Sequence, residues 1–142
     1  MNILPKIGID NVKLGMNKTQ VKEVLDEPAR IENESNGEFW HYEQGLELSF
    51  KKEDLHLLGL ITVTNNSARL NSECIIGLSE PELLERFPFF SLDDDFGENG
   101  KDYISAEDEL SVWVSNGIVI NLTIFPAYEK TGEIPLWPSA ST

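Results

Sequence analysis

Apolar positions along the chain fall into two series, each opening at helical spacing and continuing as strand-like alternation. In the first, Asn17 is suited to cap a helix, and Gln20 three residues on can reach back to close a capping box. Val21, Val24 and Leu25 then recur on one helical face, and Pro28 ends the run. In the second, Ser79 is the cap and Glu82 closes the box. Pro81 is tolerated in the first turn, and Leu83, Leu84 and Phe87 form the stripe before Pro88.

Strand patterns follow each helix. After the first come Phe39–Tyr42, a Gln44-Gly45 turn, the alternating Leu46–Phe50, a polar turn over Lys51–Asp54, and a longer strand from about Leu57 to Thr64. After the second come Tyr103-Ile104, a turn at Ala106–Glu109, Leu110–Val114, an Asn116-Gly117 turn and Ile118–Phe125. The pattern predicts an α+β fold of two repeats, each a helix plus a three-stranded antiparallel meander. The sheets would lie side by side or form one continuous sheet, with the helices on one face, and an internal duplication would explain the order. Residues 1–70 form the first unit and 71–125 the second. Residues 126–142 are a Pro-rich segment laid on the sheet, of which only the last four look loose.

The last hairpin allows a finer expectation. A three-residue turn over Ser115-Asn116-Gly117 would pair Val114 with Ile118, Val112 with Ile120, and Leu110 with Leu122, putting the aliphatics on one side. Trp113 and Val119 would then share the opposite face, with Trp113 either packed under the tail or exposed as an anchor for a partner.

The stretch Leu14-Gly15-Met16-Asn17-Lys18-Thr19-Gln20-Val21, followed by Leu25 and Pro28, resembles the helix-opening motif of the BamE-like (SmpA/OmlA) repeat, with Asp26-Glu27 where that family has a glycine. Ile76-Gly77-Leu78-Ser79 to Phe87-Pro88 is a fainter second copy. A tandem pair of such units is similar in layout to the beta-lactamase inhibitor proteins. The resemblance implies a sheet that grips a partner and carries over no functional residue.

Composition narrows the classes. With 40% hydrophobic and 9% aromatic residues the chain can bury a core. The single cysteine, Cys74, leaves no intramolecular disulfide and no multi-cysteine zinc site. The N-terminal residues lack the apolar stretch of a signal peptide and no run approaches a membrane span, so a cytoplasmic location is expected.

Charge changes the picture most. The formal net charge is -14, and it is uneven: residues 1–71 carry 8 Lys/Arg against 11 Asp/Glu, residues 72–142 carry 3 against 14. The balances are therefore -3 and -11. Such a second half repels phosphate backbones and anionic lipids, so neither nucleic acid nor membrane is an expected partner, whereas a basic protein is.

Candidate chemistry is sparse. His41 and His56 make no zinc spacing, no glycine-rich phosphate loop occurs, and nothing brings Cys74 or a serine to a histidine. No catalytic residue, metal ligand or cofactor is therefore expected. The acidic segment Asp93–Asp102 reads as a solvated loop, a calcium loop or a docking surface. Read as an EF-hand loop from Asp95, it has Gly97 at position three and Ala106 at position twelve, where ligands belong. The candidate partner-binding residues are Asp93, Asp94, Asp95, Glu98 and Asp102, joined by Glu107, Asp108 and Glu109 in the next turn, and Trp113. The two acidic clusters flank one short strand and are expected to lie close together.

The leading functional expectation is an immunity-type inhibitor that neutralises a cationic enzyme such as a nuclease toxin. The alternatives are an adaptor or scaffold subunit that binds through Trp113 and Val119, and a small hydrolase or ligand-binding module with an unrecognised pocket.

Overall fold

The computed structural model describes residues 1–138; the four residues expected to be loose, 139–142, lie outside the described residues. The N-terminal residues build a small antiparallel sheet from β1 (Ile3–Leu4), β2 (Gly8–Ile9) and β3 (Val12–Lys13). Helix α1 (Lys18–Leu25) follows, then β4 (Arg30–Glu34), β5 (Gly37–Tyr42), β6 (Leu46–Lys51), a 3-10 turn over Lys52–Asp54, and β7 (Leu58–Val63). A small hairpin of β8 (Arg69–Leu70) and β9 (Glu73–Cys74) leads to α2 (Glu80–Arg86). Then come β10 (Ser91–Asp95), a 3-10 turn over Gly97–Asn99, β11 (Lys101–Ser105), β12 (Leu110–Ser115) and β13 (Ile118–Ile124). A last hairpin pairs β14 (Ala127–Tyr128) with β15 (Pro135–Leu136).

Both helices start at the capping boxes. Asn17 accepts from the Gln20 N–H while Gln20 closes on the Asn17 N–H, and Ser79 and Glu82 do the same for α2. Each box satisfies two amides that a helix start leaves without partners.

The layout of two helix-plus-three-stranded-meander repeats is overturned. The chain is 45% strand and 15% helix, and its centre is one eight-stranded antiparallel sheet in the order β10-β11-β12-β13-β7-β6-β5-β4. The two strands of this sheet that the pattern missed, β4 and β10, are its two edges. Both are rich in charge and exposed along almost their whole length, so neither shows the period-two alternation of a half-buried strand. The acidic segment beginning at Asp93 is thus edge strand as far as Asp95, a turn over residues 96–100, and the start of β11 at Lys101-Asp102.

The sheet has a core face and an outer face. Trp40, Leu48, Ile61, Ile124 and Leu110 lie in one row across the core face, and Tyr42, Leu46, Val63, Leu122, Val112 and Tyr103 in the next. All belong to a single buried cluster that α1 enters through Val21 and α2 through Leu83. Trp40 tilts against Phe50 at 4.6 Å between centroids, and burying a side chain of this size stabilises by roughly 2–3 kcal/mol. Helix α2 is fastened to the sheet by Glu80, which accepts from the Tyr103 hydroxyl and, at 3.0 Å, from the Lys101 ammonium.

The hairpin of β12 and β13 does not take the register expected from a three-residue turn. Ser115 pairs with Ile118 around a two-residue Asn116-Gly117 turn, and both turn residues have positive φ, as a type I′ turn requires. A bulge then shifts the ladder, so Val114 faces Val119 but Trp113 faces Asn121 and Val112 faces Leu122. The bulge lets the favoured turn coexist with an apolar core face. Val119 is consequently buried on the core side and does not share a face with Trp113.

Candidate functional site

The outer face of the second half carries the charge. The register of β10 slips between Leu92 and Asp94, a bulge at Asp93. Leu92 pairs with core-facing Tyr103, whereas Asp94 pairs with Asp102, which in turn pairs with Trp113. Asp94, Asp102 and Trp113 therefore stand in one row on the outer face. Asp93, displaced by the bulge, lines a cleft of about 320 Å³ with Asp102, Ile104, Glu109, Ser111 and Phe125.

Like charges across a ladder repel. Here partial burial holds the Asp102 carboxyl above its usual range, and the charges of Asp93 and Asp94 raise it further. Beside this cluster, the Phe96 ring tilts over Trp113 at 5.6 Å between centroids. Gly100 makes the approach possible, since with φ at 126° a Cβ there would lie 2.7 Å from the Trp113 ring and from the Val114 carbonyl. Phe96 remains 52% exposed, so the stack presents an apolar platform at the edge of an acidic cleft.

Of the residues singled out in the sequence, Asp93, Asp94, Asp102, Glu109 and Trp113 come together on this face. Asp95 does not: it pairs with Lys101 in the row of core-facing Val114, and its Oδ1 accepts from the Gly97 N–H at 2.9 Å. Glu98 lies in the turn between β10 and β11, whereas Glu107 and Asp108 lie in the turn at the other end of β11. Glu98 is thus separated from Glu107 and Asp108 by the length of β11, and of the second cluster only Glu109 reaches the cleft that Asp93 and Asp102 line. Asp108 accepts from the Ser105 hydroxyl at 3.0 Å and helps to shape its turn. Among the described residues no group of three or more His, Cys, Asp or Glu is placed to hold a metal ion.

A second cleft, of about 500 Å³, escaped the sequence reading. It lies where the β14–β15 hairpin passes over the outer face of β6 and β7, and its lining includes Ser49, Asp54, Gly59 and Tyr128. The legible signal was Gly59 inside a mostly aliphatic strand, since a lone strand glycine marks a close approach. Tyr128 in that cleft has its phenol raised by burial, and further by Asp54, Glu109 and Glu53. Phe125 lines both clefts.

No protein-family model matches the chain, and no curated protein matches it. Solved structures do match. One is an extracellular protein containing an SCP domain from Bacillus anthracis, 11% identical with a TM-score of 0.55 over 91% of this chain; the chain spans only 50% of that protein. Another is the DUF4309 family protein YjgB from Bacillus subtilis, also 11% identical, with a TM-score of 0.54 over 85% of this chain and 82% of that one. At that identity the likeness is one of fold: the chain shares the fold of YjgB and of part of the Bacillus anthracis protein.

Proposed function

We propose that the chain is an acidic binding protein that docks a basic protein on the outer face of β10–β13, as an immunity-type inhibitor acting in the cytoplasm on a nuclease-type toxin. The observation that carries this reading is the row of Asp94, Asp102 and Trp113, with Asp93 beside it and Phe96 stacked on the tryptophan. Three carboxylates held together against their own repulsion favour a cation, because a partner's Lys or Arg removes a strain that is already present. An aromatic platform next to them offers the partially desolvated contact typical of binding hot spots. Opposite charge also steers association, and a charge balance of -11 over residues 72–142 supplies a field of the right sign.

The test is affinity capture from the native host with the wild-type chain and with Asp93, Asp94 and Asp102 all replaced by Asn, washed at low and high salt. A stoichiometric basic partner is expected, released by salt. The triple variant should bind it at least about a hundredfold more weakly. A partner that resists salt and binds the variant equally well would overturn this reading in favour of an adaptor that docks through apolar contacts.

A further inference from the structure

The cleft beneath the C-terminal hairpin holds two polar groups that the fold leaves unused. The Ser49 hydroxyl is buried and has no hydrogen-bond partner among the described residues. Buried polar groups are nearly always satisfied, and one that is not calls for something outside the protein to supply the bond. The second group is the Asp54 carboxylate, which reaches over β7 at Gly59, where a Cβ would lie 2.2 Å from Asp54 Oδ2. Gly59 has no positive φ to accommodate, so its bare Cα serves to make room for that carboxylate. No hydrogen bond or ion pair of the described residues engages the Asp54 side chain.

The charge and apolar lining around the two groups define what would fit. Glu53 and Glu133 stand at the rim against a single ammonium, Lys51, so the field favours a cation. One carboxylate and one hydroxyl are too few ligands for a bare metal ion but suit an N–H cation that donates to both. Leu60, Phe125 and the Tyr128 ring line the same space and offer an apolar and aromatic surface.

We infer that this cleft binds a small organic cation: a primary ammonium or guanidinium group on a short apolar or aromatic body. The cation sits at Asp54 and donates to Ser49 Oγ, and the body lies on Leu60, Phe125 and Tyr128. The site is distinct from the docking face, sharing only Phe125 with the acidic cleft there, and none of Asp93, Asp94 and Asp102 lines it. Burial holds the Asp54 carboxyl above its usual range, Glu53 adding to the effect and Lys51 opposing it, with Glu133 and Tyr128 in the same cleft. Binding needs the ionised form, so affinity rises as pH rises through that elevated pKa.

The experiment is an NMR titration of the full chain with 2-phenylethylamine, and with 2-phenylethanol as its uncharged counterpart, in the absence of any protein partner. The amine is expected to give saturable shifts at the amides of Ser49, Asp54, Gly59 and Tyr128, and the alcohol none. Asp54→Asn should weaken binding at least about tenfold, and Ser49→Ala roughly threefold, both keeping the dispersed spectrum of the folded chain. Absence of saturable shifts, equal shifts from both probes, shifts confined to the Asp93–Asp102 face, or unchanged affinity in Asp54→Asn would each overturn the inference.

Discussion

Asp102 stands across the ladder from Asp94 and beside Asp93, in a cleft where water is partly excluded. Its pKa in the fold is raised, first by burial and then by those two charges. A carboxylate with a raised folded pKa binds its proton more tightly folded than unfolded, so its ionisation costs stability as pH rises through that value. Asn has the shape of the protonated acid and carries no charge. Asp102→Asn is therefore expected to stabilise the free protein at neutral pH by several tenths to about 1 kcal/mol, a gain of a few degrees in Tm. The gain should vanish below about pH 3, where the unfolded chain is protonated too. Thermal melts at the two pH values check this, and a variant less stable than wild type at neutral pH would contradict it. The same substitution removes a charge the partner is proposed to meet, which is how a site built for binding trades stability for function.

At the scale of single elements, what the sequence makes legible depends on what a residue's neighbours are. The capping boxes at Asn17 and Ser79 could be read because both partners lie within four residues of each other. Strands β5, β6, β12 and β13 could be read because burial on one face imposes alternation. Edges β4 and β10 bury neither face, so Arg30–Glu34 and Ser91–Asp95 carry no such signature. The register of the last hairpin was hidden because the bulge opposite Trp113 lets a two-residue turn coexist with an apolar core face. The acidic cluster was legible as charge, but its sorting between faces depended on the second bulge, at Asp93, and only part of it shares the Trp113 face. The fastening of α2 is likewise a long-range matter, since Glu80 meets Lys101 and Tyr103 across the β10 hairpin. Its carboxyl is held below its usual range, first by the Tyr103 hydroxyl and then by Lys101. A depressed folded pKa stabilises above the unfolded value, and that stability is lost as pH falls through the folded one. Glu80→Gln should thus cost about 1 kcal/mol at neutral pH and next to nothing in acid, the reverse of the Asp102 profile. Parallel pH-dependent melts would separate the two, and a cost that persists undiminished in acid would exclude the ionic account.

Across the whole molecule, everything hinges on the seam between β7 and β13. Only three register pairs join them, Leu122 with Val63, Thr123 with Thr62, and Ile124 with Ile61. On the outer side the two threonine hydroxyls meet at 3.1 Å. On the core side Ile61, Val63, Leu122 and Ile124 are completely buried. Exposing those four side chains would forfeit roughly 6–10 kcal/mol of burial, comparable to the whole stability of an ordinary domain. The N-terminal residues add a second tie, since Ile3 belongs to the same buried cluster as Phe87 and Val112. A cut between positions 70 and 71 would fall in the tight β8–β9 hairpin and strip the core face of both parts. Residues 1–70 alone are therefore expected to be unfolded, with poorly dispersed amide signals. The full chain should lose β5 and β12 in one coincident urea transition when followed residue by residue. A folded 1–70 fragment, or separate midpoints for the two strands, would show that the halves hold themselves. If the single transition is found, the acidic face on β10–β13 inherits its rigidity from strands that carry none of its charges, and a core mutation at Ile61 or Val63 should weaken partner binding without touching the docking surface.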